Sequence, residues 1–218
     1  PPDAAGVATL AVILLSSALL MCWDLGDGYL WQDEAQTALL ARSVLEHGVP
    51  MGYDDRNHFS QELGAEYGDD GVWRWHTWLP FYLLAAFFAV LGESTLVARL
   101  PFALAGFATV AATYQLGRRV SRDRRLALAA AALLALSVPF LVLARQSRWY
   151  SLSSLFCVIS LCGYLDLSAG RRRGGVIFAL GIVALFHTHY FYAAAVLASI
   201  AIHTGCWQRD RLLSVLGW

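Results

Sequence analysis

The chain has 218 residues, 58% of them hydrophobic and only 15% charged. A soluble domain carries about 25% charged residues, so disorder, a collagen-like fibre and a nucleic-acid binder driven by net charge are all excluded. Sixteen basic residues, every one an arginine, balance sixteen acids. The information therefore lies in how charge is distributed along the chain.

The apolar residues run in continuous blocks rather than at core periodicity. A helix needs ~20 apolar residues to cross a hydrocarbon layer ~30 Å thick. Blocks 7–23, 95–117, 126–144, 150–168, 175–189 and 190–206 are the expected spans, so the expected fold class is all-α: a polytopic integral membrane helical bundle. The first block reads as a signal anchor. A further block, 77–91 (TWLPFYLLAAFFAVL), reaches only ~22 Å as a helix, and arginine placement decides its role. Arg118, Arg119, Arg122, Arg124 and Arg125 form one cluster, Arg171 to Arg173 a second, Arg209 and Arg211 a third. If 77–91 does not cross, all three fall on one face, as cytoplasmic loops require. It is therefore expected to lie at the outer interface, within an outer loop of about 24–94.

That loop is acidic. Residues 24–75 hold eleven of the sixteen acids, including Asp54 and Asp55, against Arg42, Arg56 and Arg74. Within it, 34–46 (EAQTALLARSVLE) places Ala38, Leu39, Ala41, Val44 and Leu45 at helical spacing, with Gly48 and Pro50 as its stop. This is the pattern of an amphipathic juxtamembrane helix. Residues 51–72 are polar and turn-rich. Trp23, Trp31, Trp73, Trp75, Trp78 and Trp149 fall at the expected outer borders, as in an aromatic belt. Cys22, Cys157, Cys162 and Cys206 lie in or beside apolar blocks with no metal-ligand spacing, and read as inert thiols. The chain as a whole reads as the N-terminal module of a longer protein.

Candidate chemistry gathers at the outer border. Asp33 and Glu34 open the juxtamembrane helix. Asp33 suits an N-cap with Gln36 completing a capping box, and a carboxylate held at the membrane surface also suits a base acting on a hydroxyl. His76 reads as an interface anchor or a substrate ligand. Arg145 and Arg148, in RQSRWY, lie on the outer side against the positive-inside trend. They snorkel to lipid headgroups or bind phosphate, for which guanidinium forks are well shaped. Arg99 sits at the outer end of block 95–117, where it anchors the helix or steadies the acidic loop. His187 and His189 would diverge on a helix and converge on an extended segment. Asp166 and Glu93, at block ends, receive no role.

The order of these features resembles the C-type glycosyltransferases. Trp31-Gln32-Asp33-Glu34-Ala35 resembles the Asp-Glu motif of their first outer loop, and His76-Thr77-Trp78-Leu79-Pro80-Phe81-Tyr82 resembles the His-Pro-Pro-Leu-Tyr element that follows. Gly92-Glu93-Ser94 through Arg99-Leu100-Pro101, then Leu116-Gly117-Arg118-Arg119, resemble the next helix and its basic turn. Arg145 to Tyr150 and His187-Thr188-His189-Tyr190-Phe191 complete the series. Together they look like glycosyltransferase family 39 in its broad bacterial sense. The chain departs from that pattern in lacking the double proline and in a longer segment 51–75.

The resemblance implies a polyprenyl-phosphate sugar donor, a hydroxyl acceptor, the lipid bilayer as partner, and an extracytoplasmic site in a prokaryotic plasma membrane. It implies Asp33 and Glu34 as catalytic carboxylates, Arg148 and Arg145 on the donor phosphate, and His76, Arg99, Tyr150, His187, His189 and Tyr190 at the substrates. No cofactor is expected firmly; a divalent cation is compatible, since some superfamily members use one. The rival class is a transporter or flippase, whose pathways carry intramembrane charge. Here the block centres are almost free of charge, which favours interfacial chemistry. A blander rival is a non-catalytic membrane scaffold.

Overall fold

The computed structural model describes residues 4–53 and 56–207. Asp54 and Asp55 of the acidic loop and the arginine pair Arg209 and Arg211 lie outside the described residues. Helices account for the architecture: α1 (Ala4–Cys22), α2 (Gln32–His47), α3 (Leu79–Leu91), α4 (Thr95–Val120), α5 (Arg124–Ala135), α6 (Val138–Ala144), α7 (Tyr150–Ser168), α8 (Arg172–Thr188) and α9 (Tyr190–Trp207). Three isolated antiparallel bridges are the only β pairing among the described residues. The molecule is an all-α, polytopic membrane bundle. By length and apolarity α1, α4 and α7 can each cross a membrane, and α5 with α6 forms a fourth, bent candidate; α9 is apolar but shorter.

The expected block 126–144 is not one straight helix. It breaks between Ala135 and Val138, and the two halves meet at 62°. Pro139 causes this: it has no N–H for the ladder and its ring collides with the carbonyl four residues back, but it is well placed in the first turn of a new helix. Blocks 175–189 and 190–206 are likewise separated at one residue, His189, whose backbone is extended (φ −165°, ψ 105°).

The two ends of the bundle carry different chemistry. At one end, α4 and α7 finish and α5 begins. Asp166 there receives Arg119 (3.1 Å) and Arg171 (2.7 Å). The opposite end holds the 24–94 segment, with α2 and α3 packed against each other. Leu40, Ala41 and Val44 of α2 meet Phe81, Leu84, Ala85 and Phe88 of α3, over Val97, Ala98 and Phe102 of α4. Both ends of α3 are tied to α2: the Tyr82 hydroxyl donates to the Gly48 carbonyl (2.7 Å), and Glu93 pairs with Arg42. α3 therefore belongs to the end layer and does not run the length of the bundle.

The segment between α2 and α3 folds back over α2. Ser43 Oγ accepts the Met51 N–H (2.8 Å), Trp73 N–H reaches the Pro50 carbonyl (2.8 Å), and Gln61 Nε2 donates to the Gln32 carbonyl (3.2 Å). Trp73 is buried in the core that α2 and α3 share. At the other face of the bundle, α7 and α8 approach closely through glycine. A Cβ on Gly163 would meet the backbone of Phe178, and one on Gly174 the backbone of Leu167. Small residues at such a crossing let helix backbones come together where lipid offers no hydrophobic driving force.

Candidate active site

The site is built on a buried carboxylate. Glu34 is fully buried, and Arg99 grips it with two bonds, Nε to Oε1 (2.9 Å) and Nη2 to Oε2 (2.8 Å). The backbone N–H of Ser147 adds a third donor (2.8 Å) and that of Trp31 a fourth (3.3 Å). Arg99 also donates to the carbonyls of Leu25 (3.2 Å), Asp27 (2.8 Å) and Tyr29 (3.1 Å). One ion pair thus fastens α4, the 25–29 segment, the start of α2 and the turn before α7. Bidentate, charge-assisted bonds of this kind fix orientation as well as adding energy.

This fastening corrects the expected helix cap. The N-cap is Trp31, not Asp33, and the acid that reaches back to it is Glu34 at the third helical position; Gln36 takes no part in the cap. The helix starts two residues earlier than the capping pattern indicated, because the Arg99–Glu34 pair draws its first turn against α4. Asp33 is consequently free of capping duty.

The neighbours of the fastened residues face each other. Asp33 precedes Glu34, Arg148 follows Ser147, and Asp33 Oδ2 lies 3.2 Å from Arg148 Nη2. Arg148 Nη1 also donates to the Asp33 carbonyl (3.3 Å). Both side chains line a cleft of about 490 Å³, together with Gln36, Gln61, Glu62, Glu66, Trp73, Trp75, His76, Trp149, His189, Tyr190 and Phe191. Four of these residues carry a buried polar atom that no protein group satisfies: Glu66 Oε2, Trp73 Nε1, Arg148 Nε and His189 Nδ1. Buried polar atoms without partners are uncommon, and each calls for an explanation.

His76 sits on an aromatic stack, 5.4 Å from Phe81 and 5.0 Å from Trp73 between ring centroids. Burial lowers its pKa to about 4, and the Arg148 charge adds to the shift against a bond to the Thr77 carbonyl. It is therefore a neutral imidazole at neutral pH. The extended backbone at His189 turns that ring into the cleft against Trp149 (4.2 Å), whereas His187, still helical, is exposed beside Phe186.

The sequence-level candidates therefore separate. Asp33, His76, Arg148, His189 and Tyr190 share the cleft. Tyr150 stands behind it, its ring 4.3 Å from Trp149. Glu34, Arg99 and Arg145 line a second depression on the other side of the fastening, of about 300 Å³, and Arg145 donates to the Trp23 carbonyl. His187 reaches neither. Sequence alone does not single out Glu66 or Trp73: Glu66 is one acid among many in the polar loop, and Trp73, which fits an aromatic belt by position, is instead buried in the α2–α3 core. Among the described residues, no three His, Cys, Asp or Glu side chains are grouped to hold a metal ion.

A helical membrane bundle with an acid–arginine cleft at one end has the form of a C-type glycosyltransferase, and the comparisons agree. The chain superposes with a TM-score of 0.63 on the apo Archaeoglobus fulgidus oligosaccharyltransferase, at 17% identity over 84% of this chain and 23% of that one. It superposes equally on the archaeal oligosaccharyltransferase AglB from Archaeoglobus fulgidus in complex with an inhibitory peptide and a dolichol-phosphate, at 18% identity over 85% and 24%. At these identities the likeness concerns the fold. The chain belongs to the dolichyl-phosphate-mannose-protein mannosyltransferase family, whose model matches residues 75–218. It is also 28% identical, over 96% of its length, to the undecaprenyl phosphate-alpha-4-amino-4-deoxy-L-arabinose arabinosyl transferase of Pseudomonas aeruginosa (strain UCBPP-PA14), and spans 37% of the length of that relative.

Proposed function

We propose that the cleft is the active site of a membrane glycosyltransferase that moves a sugar from a polyprenyl phosphate to an acceptor hydroxyl on the extracytoplasmic side, with inversion. The supporting observation is the Asp33–Arg148 pair in an open cleft at the end of the bundle opposite the arginine clusters. The family and the curated relative supply the donor class: one name carries dolichyl phosphate mannose, the other an undecaprenyl phosphate sugar.

Asp33 takes the proton of the acceptor hydroxyl. The hydroxyl oxygen attacks the anomeric carbon from the face opposite the phosphate, the bond from that carbon to the phosphate oxygen breaks, and polyprenyl phosphate leaves with the bonding pair. Its oxygen gains negative charge as the bond lengthens. Arg148 meets that charge with guanidinium donors, and a contact that strengthens only as the bond breaks lowers the barrier selectively. The neutral rings of His76 and His189 hydrogen-bond sugar or acceptor without adding charge. Tyr190 lies on the cleft wall, and Tyr150 supports Trp149. Glu34 and Arg99 act as positioning residues that hold Asp33 and Arg148 in register, and Arg145 steadies the same turn from its far side.

The direct test is transfer of labelled sugar from polyprenyl phosphate by the full-length enzyme in proteoliposomes. Asp33→Asn is expected to lower kcat by about 10²–10⁴-fold, the contribution of a general base, with unchanged expression. Arg148→Ala is expected to lose about 10²-fold or more, as for removal of an oxyanion donor. Full activity of Asp33→Asn would remove the proposed base.

A further inference from the structure

We infer that Glu66 is a specificity-determining residue of this cleft: its free Oε2 accepts a hydrogen bond from a hydroxyl or ammonium group of the bound sugar. The inference rests on the donor-sugar reading above and adds a residue that the reaction itself does not need.

Glu66 is 1% exposed, yet it lines the cleft. Its two oxygens have opposite situations. Oε1 takes three donors: the Ser60 hydroxyl (2.9 Å), the Gln61 N–H (2.6 Å) and the Glu62 N–H (3.2 Å). Oε2 is buried and has none. The two halves of one carboxylate are thus in different situations, one folding the 60–66 turn and the other buried without a partner in a residue that lines the cleft. Burial by itself would raise the Glu66 pKa, but its own backbone N–H, together with the donors from Gln61, Ser60 and Glu62, outweighs it and holds the group below the ordinary carboxylate value. It is therefore an ionised acceptor at neutral pH, and leaving an ionised buried oxygen unpaired is costly.

Its position is fixed relative to Asp33. Gln61, whose backbone Glu66 holds, donates through its side chain to the Gln32 carbonyl, one residue before Asp33. On the other flank the Glu66 carbonyl accepts the Arg74 N–H (2.8 Å), next to Trp73. Arg148 and Trp73 leave unpaired donors in the same wall, and Glu66 supplies the matching acceptor. A donor–acceptor mixture beside aromatic rings suits a polyhydroxylated ring, whose hydroxyls both give and receive hydrogen bonds and whose C–H faces lie on aromatics. The other charged groups on the wall are Asp33, Glu62 and Arg148; Arg148 alone suits a phosphate, and with Glu66 the remaining charge is acidic, which favours a hydrogen-donating substituent.

The test replaces Glu66 by Gln. Glutamine keeps a carbonyl oxygen for Ser60, Gln61 and Glu62 but turns the free oxygen into an NH₂ donor. Full-length protein in nanodiscs is titrated with polyprenyl phosphate and with its mannosyl, glucosyl and 4-amino-4-deoxyarabinosyl forms, using the fluorescence of the cleft tryptophans. Wild type is expected to bind at least one sugar form tenfold or more tighter than bare polyprenyl phosphate. Glu66→Gln is expected to lose that margin while binding the bare lipid equally well, and to raise KM for the sugar donor more than it lowers kcat. Protease resistance of the loop, equal in both proteins, reports that the turn is intact. A Glu66→Gln protein that keeps the sugar margin, or weakens bare and sugar-bearing lipid alike, overturns the inference and leaves the donor reading standing. Wild type that binds none of the lipids removes the donor reading, and this inference with it.

Discussion

Glu34 and Asp33 are adjacent carboxylates with opposite fates, and the difference comes from what reaches each one. Glu34 is enclosed by Arg99 and Ser147, whereas Asp33 is left on a cleft wall with one arginine. Breaking a buried charge pair from one side strands the other charge and costs about 3–5 kcal/mol. Glu34→Ala and Arg99→Ala are each expected to destabilise the protein by roughly that much in chemical denaturation, and the double substitution by clearly less than the sum, the mark of coupled neighbours. Asp33→Asn keeps an amide oxygen facing Arg148 on the cleft and is expected to cost clearly less stability than Glu34→Ala while lowering transfer about 10²–10⁴-fold, so the two acids are separable by experiment. His76 adds a pH signature. Its folded pKa of about 4 lies below the ordinary 6.5, so on acidification the unfolded chain gains a proton that the folded one refuses. Stability carried by neutral His76 is present above pH 6.5 and falls as pH drops toward 4. Thermal melts across that window are expected to show a loss in wild type that is smaller in His76→Gln.

At the scale of elements, breaks matter as much as helices. Pro139 bends the α5–α6 segment, and the extended residue His189 separates α8 from α9 while turning its own ring into the cleft. The first lies inside a block that hydropathy runs together, 126–144, whereas the second falls at the boundary between blocks 175–189 and 190–206. The α7–α8 pair depends instead on continuity and on missing side chains. Gly163→Leu is expected to push α8 off α7, because the space a Cβ would need is filled by the Phe178 backbone rather than by a flexible side chain. Overpacking at such a crossing costs about 1–3 kcal/mol or more, read as a lower melting temperature in detergent. His189 hangs from the end of α8, so the same variant is expected to lower transfer more than binding of bare polyprenyl phosphate.

At the scale of the whole molecule, the two ends of the bundle differ in charge and in construction. Arg119, Arg171 and Asp166 gather at one end, and the 24–94 layer with its cleft at the other. On the positive-inside rule the cleft is expected on the outer face, and labelling tests this. In a variant stripped of its native cysteines, Leu63→Cys, on the fully exposed tip of the loop, is expected to react with a membrane-impermeant maleimide in intact cells. Arg173→Cys, at the start of α8, is expected to react only after permeabilisation. The opposite pattern would place the cleft on the cytoplasmic face.

Apolar blocks, arginine clusters and the acidic loop were enough to establish a helical membrane bundle and to draw attention to Asp33, His76, Arg148 and His189, because hydropathy, charge and residue type are local properties that a chain displays before it folds. The partition of those candidates was not local. Which acid of the Asp33-Glu34 pair is walled in depends on Arg99, 65 positions from Glu34, and on a backbone N–H 113 positions away. The role of Glu66 depends on a turn docked against the start of α2. Only the packing of distant segments can decide whether a carboxylate is surrounded by donors or left facing a cleft.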